Sequence, residues 1–238
     1  MTKLVIFDLD GVLIDSKDYH YHALNQALGE EFAISREDHV SIYDGLPTSR
    51  KLELLTQNKG LPVELYEQIW NKKQELTLKI FSESVSKDYE LMGYFQQLVD
   101  AGYKIAVASN SIRNSVKIIL LRLGLLEFVD VYVSNEDVVR NKPFPEMYWK
   151  CMTTLGALPN DTVIIEDSHI GRQGALDSKC HLIPVENRKD FNQSKVDRIK
   201  KILNGTKKKI AWESKTMNVL IPMAGRGSRF ASQGYTFP

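Results

Sequence analysis

The 238-residue chain is short of cysteine, of charge imbalance and of long apolar runs, and each shortage removes a class of function. Its two cysteines, Cys151 and Cys180, lie far apart and lack the spacing of a zinc site or a disulfide framework, so both read as reduced core thiols. The formal net charge is only +1, with no clustered basic excess, so no nucleic acid is expected as a partner. The N-terminus has one lysine and then runs directly into β-formers and acids, which is the plan of neither a signal peptide nor a membrane anchor. No membrane partner and a cytoplasmic location are therefore expected. A hydrophobic content of 43% over this length suits one large domain, or a core with a second one inserted.

What is present centres on Lys3 to Ser16, Lys-Leu-Val-Ile-Phe-Asp-Leu-Asp-Gly-Val-Leu-Ile-Asp-Ser. Leu4 to Phe7 has the length and composition of a buried strand, and it stops where Asp8 begins. Asp8 and Asp10 are two apart, so on extended chain they point the same way while Leu9 turns into the core. A metal and a phosphate can meet both acids there, at a strand's carboxyl end, and Gly11 lets the chain leave abruptly. Taken alone, Asp-Leu-Asp-Gly is equally a turn after a strand.

Further along, Asp18 to Leu28, Ser49 to Thr56 and Leu65 to Ile80 carry helical periodicity, with hardly any strand signal before about Asp88. From about Tyr89 helix and strand alternate. Strands are expected at Lys104 to Ala108, Val129 to Val133, Thr162 to Glu166 and Leu182 to Val185, with helices between them. Such alternation predicts a parallel sheet with crossover helices. The first strand belongs to the same layer, so residues 17–88 read as an all-helical insertion, a cap on a Rossmann-like α/β core made of 1–16 and 89–188. Residues 189–216 are charged and polar, and read as a helix running into a solvated linker.

Four separated elements fall at or after predicted strand ends: Asp8 with Asp10; Ser109 followed by Asn110; Lys142 in Asn-Lys-Pro-Phe-Pro; and Glu166-Asp167-Ser168. Each has an ordinary alternative, as a strand-end cap, a surface lysine or an N-cap cluster. In this order and spacing they resemble the motif set of the haloacid dehalogenase superfamily, over about Leu4 to Val185, and the helical insertion is similar to that of its β-phosphoglucomutase-like branch. The resemblance implies a phosphatase acting through an aspartyl phosphate on Asp8, with Asp10 as general acid and base, Lys142 as a fixed cation, and Ser109 and Asn110 holding the phosphoryl group. It implies magnesium held by Asp8, Asp167 and the main-chain carbonyl of Asp10, with Glu166 orienting a metal-bound water or Lys142. Gly171 and Gly174 are expected where a helix packs closely.

In the cap, His20 and the loop Asp44 to Lys51 are candidate substrate contacts; mutases of this branch grip a second phosphate with a lid arginine, which points to Arg50, while His20 is equally well a helix-surface residue. Finally, residues 217–238 resemble the opening of a sugar-phosphate nucleotidyltransferase, with Met217 to Ile221 leading into a glycine-rich loop suited to polyphosphate. The whole is read as a segment of a longer two-enzyme polypeptide, with a small phosphorylated sugar or polyol, used in nucleotide-sugar or surface-polysaccharide precursor synthesis, as the substrate. A sugar phosphomutase and a non-catalytic ligand-sensing domain are the alternatives.

Overall fold

The computed structural model describes residues 2–43 and 46–205. Asp44 and Gly45 of the lid loop, and the nucleotidyltransferase-like segment 217–238, lie outside the described residues.

Strands β1 (Thr2–Phe7), β2 (Lys104–Ala108), β3 (Val131–Val133), β4 (Ala157–Glu166) and β5 (His181–Pro184) form one parallel sheet ordered β3-β2-β1-β4-β5. The central strand is covered on both faces, which is why Leu4 to Phe7 is continuously apolar rather than alternating. Val5 and Phe7 join a cluster with Phe95, Val116 and Phe191, whereas Leu4 and Ile6 meet Met147, Tyr148 and Cys151 on the other side. Phe7 is paired with Val107 and with Ile165, so Asp8, one residue on, comes level with the ends of β2 and β4. The order of connection reverses beside β1, and ligands of open α/β sheets bind at that crevice.

Helices α1 (Lys17–Leu28), α2 (Arg36–Asp38), α3 (Thr48–Lys59) and α4 (Tyr66–Ser84) make up the inserted helical cap. It has its own core, in which Leu24, Phe32, Tyr43, Leu52, Leu55 and Ile69 are buried. The far end of α4 belongs to the sheet layer, since Phe81 and Val85 sit in the cluster of Phe7. Helices α5 (Tyr89–Asp100), α6 (Arg113–Leu123), α7 (Glu146–Leu155) and α8 (His169–Asp177) flank the sheet. Gly124 ends α6 in the left-handed conformation, as its position after the apolar run foretold.

One expectation needs correction. The stretch from Lys189 is not a solvated linker over its described part: α9 (Gln193–Gly205) packs on the core through Val196, Ile199 and Leu203, and Phe191 meets the Phe7 ring edge-on at 5.2 Å. Charged residues outnumber apolar ones there, but the apolar ones recur at intervals of three and four, which is a buried stripe on a helix.

Candidate active site

The centre of the site is a buried ion cluster. Lys142, only 7% exposed, donates to Asp8 Oδ1 at 2.7 Å, Glu166 Oε1 at 2.5 Å and the Ala108 carbonyl at 2.8 Å, which uses all three ammonium protons. Burial disfavours its charge, yet Asp8 and Glu166 hold its pKa above the ordinary lysine value. For Asp8, burial and then the Glu166 charge push the pKa up, and Lys142 offsets only part of this. Both Glu166 oxygens are spoken for: Oε1 also accepts from Tyr148 at 3.0 Å, and Oε2 accepts from the Ser168 amide and hydroxyl, each at 3.1 Å. Glu166 is thus a fixed counter-charge for Lys142. Gly171 makes room for it, because a Cβ there would stand 1.9 Å from Glu166 Oε1. Gly174 likewise lies under the Pro143 carbonyl and the Tyr148 ring.

Asp167 completes an acidic group with Asp8 and Glu166, whose ligand atoms lie within 4.8 Å of one another. Its Oδ1 is buried without a hydrogen-bond partner among the described residues. Burial, then the Glu166 charge, raises its pKa to about 6. Gly11, at φ +86°, brings the first loop against it so closely that a Cβ would lie 2.0 Å from Asp167 Oδ2. An orphaned carboxylate oxygen beside two further acids and a single lysine is a site short of positive charge, and hard oxygen donors fit a divalent cation.

A test follows from the sign of the Asp167 shift. Its folded pKa lies above the unfolded value of 3.8, so between there and about 6 the metal-free folded state holds more protons than the unfolded chain. Stability therefore falls as pH rises through that window. A divalent cation opposes the loss, so magnesium is expected to raise the melting temperature more at about pH 7.5 than at about pH 5. Equal increments at both pH values would remove Asp167 from the metal site.

Asp10 lies beside this cluster in a cage of donors, with its side chain 30% exposed. Ser16 donates to Oδ1, Ser111 donates to Oδ2 at 2.9 Å, Ser109 lies 3.4 Å from Oδ2, and His20 Nε2 is 3.3 Å from Oδ1. Burial pushes the Asp10 pKa up, but His20, Ser16 and Ser111 outweigh it and hold the carboxyl below the usual carboxylate range.

The rim thus brings together Asp8, Asp10, Ser109, Lys142, Glu166 and Asp167, with His20 against Asp10. Two candidates are engaged otherwise. Asn110 clasps the main chain of Lys142, accepting from its amide at 3.1 Å and reaching its carbonyl at 3.5 Å. Arg50 lies on an exposed face of α3 and pairs with Glu53 at 2.5 Å. Contributors that carried no role in the sequence reading are Ser16, Ser111 and Tyr148. Tyr148 is fully buried, donates within 3.2 Å of the Gly171 carbonyl as well as to Glu166, and places its ring 5.3 Å from the Lys142 ammonium. Its position six residues after Lys142, on the helix that Pro143 and Pro145 introduce, is the only signal for it. Tyr148→Phe is expected to lower kcat about tenfold with KM little changed, because it frees Glu166 to compete with Asp8 for Lys142. A rise in KM alone would place Tyr148 in substrate binding.

The sequence profile of the haloacid dehalogenase-like hydrolases matches residues 5–185, and the chain belongs to that family. Within it the chain is similar to a phosphorylated carbohydrates phosphatase of Thermotoga maritima, 27% identical over 173 residues that cover 73% of this chain and 80% of the relative. It is also similar to the pyrophosphatase PpaX of Bacillus mycoides, 28% identical over 186 residues, covering 72% of this chain and 79% of the relative. A crystal structure of a putative beta-phosphoglucomutase from Thermotoga maritima shares the fold, with a TM-score of 0.65 at 23% identity over 86% of this chain and 98% of that one. No described helix is long and apolar enough to cross a membrane.

Proposed function

We propose that the protein is a phosphatase of small phosphorylated metabolites, a sugar or polyol phosphate above all, working through an aspartyl phosphate on Asp8. The observation that carries this reading is the Lys142 ammonium held between Asp8 and Glu166, beside the orphaned oxygen of Asp167. That arrangement sets a cation against the attacking carboxylate through Oδ1 alone. A magnesium ion held by Asp8, Asp167 and the Asp10 carbonyl would supply the positive charge that lets an anionic nucleophile approach a phosphoryl group.

The side chains then divide the work. Lys142 fixes Asp8 through Oδ1, so the carboxylate keeps one orientation as its oxygen attacks phosphorus and the bond to the leaving oxygen breaks. Ser109 and Ser111, whose hydroxyls now face Asp10, are near enough to turn to phosphoryl oxygens. Asp10 is charged in the present arrangement, which is the form that takes a proton from water as the aspartyl phosphate is hydrolysed. In the first half of the reaction it must be protonated, and that requires the grip of His20 and the serines to loosen.

The phosphomutase reading calls for a lid arginine on a second phosphate, and Arg50, the candidate for it, lies exposed beside Glu53. The carbohydrate class is supported by the relative named for it, and a cytoplasmic setting agrees with a reduced Cys151 and Cys180. The link to a nucleotidyltransferase and to surface-polysaccharide precursors stands on the resemblance of residues 217–238 alone.

Phosphate release from a panel of sugar, polyol and nucleotide phosphates tests the proposal. Stoichiometric phosphate from a sugar or polyol monophosphate, abolished by chelator and restored by magnesium, is expected. Isomerised sugar phosphate as the main product would favour a mutase, and full activity in excess chelator would overturn the metal role.

A further inference from the structure

Lys142 stands on a stretch of chain that has little regular structure to hold it. Residues 138–145 run between the short helical turn Asn135–Asp137 and α7, and Pro143 and Pro145 supply no amide hydrogens. The amides of Val139 and Arg140 go to the Glu146 carboxylate and that of Phe144 to the Asn141 carbonyl, so these bonds close the segment on itself. The Lys142 amide is different. It leaves the segment and donates to Asn110 Oδ1 at 3.1 Å, while Asn110 Nδ2 reaches back to the Lys142 carbonyl at 3.5 Å. One side-chain amide thus presents to residue 142 the donor and the acceptor that a neighbouring strand would.

Asn110 is itself firmly placed. Ser109 donates its main-chain amide to the Val133 carbonyl at 2.9 Å, and Asn135 donates to the Ser111 carbonyl at 3.2 Å, so the residues on either side are tied to β3 and the chain just after it. The hydroxyls of Ser109 and Ser111 face Asp10, whereas the residue between them turns to Lys142. The same stretch holds the lysine a second time, because the Ala108 carbonyl accepts from its ammonium at 2.8 Å. Lys142 is therefore fixed at its backbone by residue 110 and at its tip by residue 108, with a flexible four-carbon stem between. With the backbone end loose, the ammonium would meet Asp8, Glu166 and Ala108 over a range of positions instead of one, and small displacements of a reacting group are costly in rate.

We propose that Asn110 is a positioning residue for phosphoryl transfer: it holds the Lys142 backbone, and through it the ammonium on Asp8 Oδ1, and does not touch the substrate. This rests on the phosphatase reading for the reaction it serves. It replaces the phosphoryl contact that the sequence resemblance implies for Asn110.

The test compares Asn110→Ala and Asn110→Asp with the unsubstituted full chain, by kinetics on the best phosphomonoester with magnesium and by NMR of the lysine ammonium groups. A buried ammonium that donates all three protons exchanges slowly with water and gives a signal of its own. Asn110→Ala is expected to lower kcat about tenfold, to leave KM and the inhibition constant of inorganic phosphate within about twofold, and to speed exchange of the Lys142 ammonium severalfold. Asn110→Asp keeps the acceptor for the Lys142 amide, and is expected to recover most of kcat and of the slow exchange. A rise of about fivefold or more in KM and in the phosphate constant, with kcat kept, would make Asn110 a phosphoryl contact and overturn the proposal. So would kcat and exchange both unchanged in Asn110→Ala, or a loss of kcat that aspartate does not restore. The exchange measurement needs no turnover. In a protein that releases no phosphate from any compound, faster exchange in Asn110→Ala removes the phosphatase reading and keeps the hold on Lys142, whereas turnover with neither a kcat loss nor faster exchange removes only the positioning role.

Discussion

Asp8→Asn is expected to abolish phosphate release, by about 10³-fold or more, in a protein that folds as well as the unsubstituted one. The amide has the shape of the carboxylate but neither its nucleophilicity nor its charge for a metal. The fold should survive because Lys142 keeps two of its three acceptors, Glu166 Oε1 and the Ala108 carbonyl. The direction of the Asp8 shift bears on stability as well as on the reaction. Burial and the Glu166 charge raise its pKa, so its ionised form is a cost to the metal-free folded state, and removing that charge is expected to leave the melting temperature level or higher at neutral pH. In magnesium the order reverses, because the variant loses a ligand. Phosphate release and thermal melts with and without magnesium check both halves. Undiminished turnover by a folded Asp8→Asn protein would sink the assignment of the nucleophile, and a large loss of stability without metal would show that Asp8 is held for structure.

The parallel sheet and its rim were legible because period and punctuation agreed. Leu4 to Phe7 is apolar without a break and ends on an acid, and the later strands are separated by helical stretches closed by Gly102 and Gly124. The rim residues could be named because Asp8, Ser109 and Asp167 directly follow strand ends and Lys142 lies in the stretch after β3, so the fold delivers them to one edge. What the sequence left hidden has two physical causes. The core role of Val196, Ile199 and Leu203 was masked by the lysines between them, since composition over a window hides a stripe that only period reveals. The partners of each acid depend on contacts distant in sequence. Tyr148 on α7 reaches Glu166 at the end of β4, Ser111 reaches Asp10 across 101 residues, and Arg50 turns to a neighbour on its own helix instead of to the site. Spacing does not encode such choices; packing makes them.

Lys142→Met is expected to be the most damaging single change to the fold itself. The methionine fills the volume, so packing is not the main loss. Asp8 and Glu166 would be left facing each other, 6% and 0% exposed, without the cation that both now contact. Breaking a buried pair by removing one partner costs about 3–5 kcal/mol, against a total stability of about 5–15 kcal/mol for a domain. Loss of soluble protein, or a melting temperature lowered by more than ten degrees or so, is the expected result. Two features separate an electrostatic cause from a steric one. Lowering the pH should return stability, because the Asp8 carboxyl, already raised by burial and the Glu166 charge, then lacks the cation that lowers it, and its protonated form no longer repels Glu166. The double variant Lys142→Met with Asp8→Asn should regain a large part of the loss, since it leaves a single buried carboxylate that still accepts from Tyr148 and Ser168. Additive losses in the double variant, with no recovery on acidification, would mean that Lys142 serves the fold by packing and that its charge matters only to the reaction.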